Sequence, residues 1–436
     1  MSFVFVNSPR DREPMGPPSF LPSGTFTATK NGTYNIKDYE FINVNIERDG
    51  IRECACSNDT TWVLTKYGDL YGCGANSRGA QSTGGTDNVY NFTKRLTDVV
   101  HVSCNSLGTW ALKKDGTLWG CGSGTFGQQG SGNTNNVFNF TQRMDNVESF
   151  FISENQTWAI KKDGTLWGCG ENGNGEQGNG GTSLVSVFTQ RLTDVASGAN
   201  STDTTWVLGK DGTLWGTGYG RKGQQSNGST SYNVYNFTQR LSNVRQISCS
   251  DQTTWAVKTD GTLWGCGEGD NGRQGSNSTN DVTTFTQRMD NVYKVTCSGQ
   301  TTWALKNDGT LWGCGSSSNG QQGSGNSSDV KVFTQHLTNV SDIVCSSFTT
   351  WAVKTDGTLW GCGRNDYGQQ GSDNTSNVYT FTQRLTNVKQ VACSNSTTWA
   401  IREDDTVWGC GRGDSGQQGS GDGSNTLTFT KRFSIK

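Results

Sequence analysis

Histidine is almost missing from this 436-residue chain: His101 and His336 are its only two. They fall at non-equivalent places in the pattern described below, and His336 stands where an arginine otherwise recurs, which marks a shape position rather than a general base. Proline is confined to Pro9, Pro14, Pro17, Pro18 and Pro22, all inside the first 23 residues. Long apolar runs are missing too. Nothing approaches 18 consecutive apolar residues, and the amino end has no basic start followed by an apolar core, so neither a membrane span nor a secretory signal is expected. Charge of one sign is also lacking. A formal net charge of −2 and a pI near 5.8 give no attraction for a polyanion, which disfavours nucleic acid and anionic membrane as partners. No Gly-x-Ser-x-Gly, phosphate-cradling loop or metal-ligand spacing occurs, so no catalytic residue, metal or cofactor is assigned and no enzyme is expected. Asp and Asn in loops such as residues 371–377 are read as turn formers rather than calcium ligands.

Apolar content is only 31%, low enough to suggest disorder, but the apolar residues are placed too regularly for that. Trp62, Trp110, Trp158, Trp206, Trp255, Trp303, Trp351 and Trp399 recur every 48 residues, with one step of 49. A second aromatic column, Tyr71, Trp119, Trp167, Trp215, Trp264, Trp312, Trp360 and Trp408, keeps step with the first, and together they hold all 15 tryptophans. Between them lies Lys-x-Asp-Gly-Thr flanked by alternating apolar residues, which predicts a β-hairpin closed by a two-residue primed turn, with positive φ at Asp and Gly.

Eight units follow one another: 51–98, 99–146, 147–194, 195–243, 244–291, 292–339, 340–387 and 388–436. Each reads as four strands, with a Gly-Gln-Gln-Gly-like loop before the last. That is the content of one propeller blade. One unit has two large aromatics and few aliphatic side chains. Each aromatic returns only about 4–6 kcal/mol on burial, against on the order of 50–100 kcal/mol of backbone entropy for 48 residues. A lone unit cannot fold; stacking with both faces covered makes the body viable. The expected fold is all-β: a closed propeller of eight four-stranded blades, with seven as the other count to test, preceded by an extended arm and a small β-hairpin module.

Fourteen cysteines fall mostly in two columns. Cys73, Cys121, Cys169, Cys266, Cys314, Cys362 and Cys410 follow the second aromatic; Cys56, Cys104, Cys249, Cys297, Cys345 and Cys393 precede the first Trp; Cys54 is extra. Ile152, Asn200 and Thr217 replace Cys within these columns. A crosslink in every blade would not be given up so freely, so buried apolar thiols are favoured over disulfides.

Three regions result: residues 1–23, a Pro-rich anchoring arm; 24–50, a small β-module around Asn31-Gly32; and 51–436, the propeller. The arm carries Phe3, Phe5, Pro17, Pro18, Phe20 and Leu21, apolar enough to dock on a partner. Within the propeller, Arg95, Arg143, Arg191, Arg240, Arg288, Arg384 and Arg432 form a column expected to bond carbonyls or carboxylates of the neighbouring blade, or else to receive an acidic partner. The loops after Cys-Gly differ between units, with Phe126, Tyr219, Arg221, Lys222, Arg273, Arg364 and Tyr367 as candidate recognition residues.

The run Trp-Ala-Val-Lys-x-Asp-Gly-Thr-Leu-Trp-Gly-Cys-Gly, followed by Gly-Gln-Gln-Gly, resembles the repeat of the regulator of chromosome condensation family over residues 51–436. The resemblance implies a β-propeller, commonly of seven blades. That family's best-known member exchanges nucleotide on a small GTPase through a protruding wedge. No unit here exceeds 49 residues, so that activity is carried to no residue. Residues 24–46, with Gly-Thr-x-Thr-x-Thr-x-Asn-Gly-Thr-Tyr, are similar to a short β-module of bacteriophage structural proteins. On that likeness the expected function is a virion protein of capsid or tail, made in the host cytoplasm. It would bind other virion proteins through residues 1–50 and present its loops to a host glycan or protein. The alternative is an intracellular scaffold or small-GTPase exchange factor of the regulator family.

Overall fold

Every repeat folds on itself into one antiparallel sheet. In the second unit the strands are Val99–Cys104, Gly108–Lys113, Leu118–Gly122 and Val137–Met144, paired in sequence order. The other seven units repeat this, giving eight four-stranded sheets in a ring. The computed structural model describes residues 50–435 apart from residue 251. It also gives a two-residue antiparallel pair, Phe3–Val4 with Thr25–Phe26. The chain divides into two compact units, Met1–Gly50 with Ile435, and Ile51–Ser434. Among the described residues the only helix is the single turn Asp270–Gly272.

First strands are innermost, each against the first strands of its neighbours, and Ile51–Cys56 meets Val388–Cys393 where the ring closes. No strand is exchanged between first and last blades, so closure rests on side chains. An inner strand would present unpaired backbone groups to the centre. Side chains of the preceding blade serve them: Glu53 Oε1 accepts Val102 N–H at 2.7 Å, and Arg52 Nη1 donates to Val100 O at 3.0 Å. Gln246 both accepts from Val295 N–H and donates to Val295 O, at 3.1 and 3.0 Å.

The first Trp column forms the core between blades. Each ring meets the Phe of the next blade's outer strand edge-on, from Trp62–Phe140 at 5.7 Å to Trp110–Phe188 at 6.1 Å. At the seam, Trp399 of blade eight meets Phe92 of blade one at 5.8 Å in the same way. Eight units therefore close as eight blades, and seven is excluded. The Gly of Trp-Gly-Cys makes room for this ring: a Cβ on Gly265 would sit 2.5 Å from Trp255 Cζ3.

The hairpin turn differs from the sequence expectation. Only its Gly is left-handed (Gly116, φ +85), while Asp115 is not. Gly116 N–H bonds Lys113 O and Lys113 N–H bonds Thr117 O, which makes a longer loop ending on a left-handed residue rather than a primed two-residue turn. Asp115 instead acts through its side chain, accepting Thr117 N–H at 2.9 Å and Thr117 Oγ1–H at 2.7 Å. Thr117 Oγ1 in turn accepts Trp119 Nε1–H at 2.8 Å, and Lys113 Nζ lies 4.7 Å from the Trp119 ring centre. Trp119, Trp167, Trp264, Trp312, Trp360 and Trp408 are all pinned at the edge in this way and covered by a cation.

Candidate recognition face

Turns between first and second strands share one end of each blade with the long loops between third and fourth strands. These loops are rigid for a local reason. Gln370 Nε2 donates to Cys362 O at 2.8 Å, tying the loop to its own blade. Gln369 Oε1 accepts Tyr367 N–H at 2.9 Å and Gln369 Nε2 donates to Asn395 O at 3.0 Å in the next blade. The Gln369 carbonyl then takes Thr398 Oγ1–H at 2.9 Å and the Cys410 thiol at 3.3 Å. Gly-Gln-Gln-Gly is therefore a latch between blades. Its Cys is a weak hydrogen-bond donor as well as a small apolar group, which fits the fourth unit: Thr217 Oγ1 also donates to the preceding blade's loop, one residue earlier, at Gly175 O (2.7 Å), and to Val234 O at 2.8 Å. All 14 cysteines are free, and burial pushes the thiols of the later column, Cys73, Cys314 and Cys410 among them, well above their usual pKa. Cys54 fills the buried position that other inner strands give to Val102, Val295 or Ile343.

The arginine column does not do what the sequence suggested. Nε of Arg95, Arg143, Arg191, Arg240, Arg288, Arg384 and Arg432 is buried without a hydrogen-bond partner. These side chains are wedged between blades, where burial lowers their pKa and the neighbouring thiols of the Cys column act on them. Arg432 Nη2 reaches Thr426 Oγ1 at 2.6 Å, within its own blade. Their place is packing between blades rather than bonding to the neighbour's carbonyls or carboxylates. His336 takes the same slot, 5.2 Å from the Trp303 ring, and burial lowers its pKa to about 4.

Four of the seven candidate loop residues fall into two clusters. In blades seven and eight, Arg364 lies 5.3 Å from the Phe348 ring and 6.0 Å from that of Tyr367, and Arg412 lies 5.5 Å from the other side of the ladder at Tyr367. Arg364 pairs with Asp366 at 2.6 Å; Arg412 pairs with Asp414 at 2.8 Å and with Asp59 of blade one at 3.2 Å. In blades four and five, Lys222 and Arg273 grip one buried carboxylate, Glu268, at 2.7 and 2.6 Å. Phe126 and Tyr219 are half-buried and Arg221 is exposed, and none of the three joins either cluster. Sequence reasoning missed Phe348 and Arg412, although Arg412 begins its loop at the same place in the unit as Arg364. The anchoring set Phe5, Pro17, Pro18, Phe20 and Leu21 lies outside the described residues, and of Phe3 only its strand pairing is described. Among the described residues no group of three or more His, Cys, Asp or Glu is placed to hold a metal ion.

Together these features define an eight-bladed repeat propeller with a polar, loop-built end. Two family models of the regulator of chromosome condensation (RCC1) repeat match it, one over 244–273, 340–369 and 388–417, the other over 356–401. The chain thus carries regulator of chromosome condensation repeats. Human WBSCR16 superposes with a TM-score of 0.61 at 19% identity, covering 76% of this chain and 97% of that one. Prp20p of Saccharomyces cerevisiae, whose structure was described with its binding to Gsp1p and histones, gives 0.57 at 18%, covering 72% and 85%. Yeast RCC1 (Prp20) with Kap60 bound to it gives 0.57 at 16%, covering 72% and 83%. No curated protein matches by sequence. These similarities correct the functional expectation. They lie with regulator of chromosome condensation repeats and propellers rather than with virion components, so the bacteriophage virion reading, with its host-attachment role, is overturned.

Proposed function

We propose that this chain is a non-enzymatic, intracellular protein-binding scaffold of the regulator of chromosome condensation type, with its loop end as the binding surface. One observation carries the reading. In a body whose units otherwise repeat, the Arg, Tyr and Phe departures gather on rigid loops and stack as Phe348–Arg364–Tyr367–Arg412. Aromatic and Arg side chains held without rotational freedom are what protein interfaces use as anchors. Free thiols in seven of the eight units support a reducing compartment. A second reading, a small-GTPase exchange factor, draws on the likeness to Prp20p, whose structure was described with its binding to Gsp1p. Units of only 48 or 49 residues leave no inserted wedge, which favours the scaffold.

The test is to immobilise the full chain, capture partners from a eukaryotic lysate, and follow labelled-GDP release from small GTPases in parallel. The scaffold reading expects defined partners whose capture falls at least tenfold in the Arg364→Ala/Arg412→Ala variant, with no faster nucleotide release. Acceleration of release would replace it with the exchange reading.

A further inference from the structure

The fifth blade keeps the backbone part of the latch, with Arg273 O accepting Thr302 Oγ1–H at 3.0 Å and the Cys314 thiol at 3.3 Å, but loses the side-chain bonds of its first Gln. Where most units place Gln, Glu or Ala second in the Gly-x-Gln loop, this one has Arg273, which has no oxygen to accept the backbone N–H two residues earlier. The loop instead forms the turn Asp270–Gly272, with the non-glycine Asn271 left-handed at φ 58. Such backbone strain is retained where the surroundings enforce it, and it gathers at functional sites. Arg273 is 2% exposed: Nε donates to Asp270 O at 3.0 Å, and Nη1 to Gln252 Oε1 at 3.0 Å and Glu268 Oε2 at 2.6 Å.

The sixth blade forms the opposite wall. Its outer strand presents Lys331 where four other units put Tyr90, Phe138, Tyr235 or Tyr379 against the preceding loop. Asn271 Nδ2 crosses to Gln300 Oε1 at 3.0 Å. Between the walls lies a polar cleft of about 480 Å3, also lined by Asp270 and Asp329. Four carboxylates (Glu268, Asp270, Asp281 and Asp329) lie around Arg273, against the three cations Lys222, Arg273 and Lys331. Glu268 is taken up by Lys222 and Arg273, and Asp281 and Asp329 each accept one backbone N–H, at 3.1 and 3.2 Å. The exposed Asp270 carboxylate makes no bond among the described residues. The cleft is thus short of one positive charge.

We infer that this cleft is an anchor pocket for a cationic side chain, a lysine or arginine, of a protein partner. Asp270 and Asp329 take the charge; the amides of Gln252 and Gln300 bond the rest of the head group. Lys222–Glu268–Arg273 is the floor that holds the walls apart. The inference rests on the scaffold reading and names one part of the partner.

Two-dimensional NMR of the full chain tests it, with Nα-acetyl-arginine methylamide as probe. Saturable shifts are expected at the amides of Gln252, Asn271, Gly272 and Gln300, with an affinity on the order of millimolar. Asp270→Asn and Asp329→Asn should each weaken it about fivefold or more, while Glu148→Gln, on the inner strand of blade three, leaves it unchanged. Nα-acetyl-glutamate methylamide should leave these amides unmoved. Absence of saturable shifts, equal response to the acidic probe, or unaltered binding in both Asp variants would overturn the inference. Partner capture that survives those outcomes leaves the scaffold reading standing; loss of capture beside intact probe binding removes the scaffold and keeps the pocket.

Discussion

Gly265 shows how little freedom a single position has in this body. Its missing side chain is the space in which the Trp255 ring lies, and a Cβ there would meet ring carbons at 2.5 to 2.7 Å. Gly265→Ala should therefore destabilise by about 1–3 kcal/mol, the ordinary cost of overpacking, read by chemical denaturation. His336 gives the pH counterpart. Its folded pKa is about 4 against 6.5 for an exposed imidazole. As pH falls, the unfolded chain takes the proton first, so stability is intact above about pH 6.5 and declines between there and pH 4. The decline attributable to His336 should be on the order of 1–3 kcal/mol, and His336→Gln should remove that share of the pH slope. Both tryptophan columns were legible by period alone. Phe92, Phe140 and their counterparts, which complete the packing, were not singled out, because only the packed ring shows which aromatic each Trp meets.

At the scale of the element, hairpin and latch explain why the motif letters are what they are. Asp-Gly was legible as a turn, but its geometry was not: Asp works through Oδ1 on Thr while only Gly turns left-handed. Blade eight has Asp405 in that left-handed position, at φ 58, where it pairs with Lys66 of blade one at 3.2 Å. The latch makes the cysteines testable. Cys314→Thr should stay within about 1 kcal/mol of the parent, since Thr217 in the same column of unit four is accommodated with its hydroxyl donating to the preceding loop, whereas Cys314→Ala should cost about 1–2 kcal/mol through the lost donor and cavity. Native protein should react sluggishly with iodoacetamide, because raised pKa values leave little thiolate, and should take up 14 labels once unfolded, counted by mass spectrometry.

For the whole molecule, the decisive feature is a ring closed without strand exchange. Every sheet comes from one contiguous repeat, so the seam holds by the Trp399–Phe92 contact, the Cys73 thiol on Gln417 O and the ion pairs Lys66–Asp405 and Arg412–Asp59. Deleting residues 388–436 should bare the faces of blades one and seven together. The expected result is a chain that aggregates or loses its cooperative melt, checked by size-exclusion chromatography and circular dichroism; a truncated monomer melting like the parent would mean that the units stack independently of closure.

Repeat number, strand count per unit and the two aromatic columns were determined by the sequence itself, because a period of 48 with alternating apolar residues admits one local structure that is viable only when stacked; that all eight units close into one ring was decided at the seam. What the tertiary structure decided is everything that depends on neighbours 48 residues away. It placed the arginines between blades without hydrogen bonds at Nε, made the thiols donors to the preceding blade's loop, and brought Arg364, Tyr367 and Arg412 into one ladder. The physical reason is that a repeat specifies its own hydrogen bonds through near neighbours in sequence. Which side chains meet across an interface is settled by the ring's curvature, and only the closed body has that.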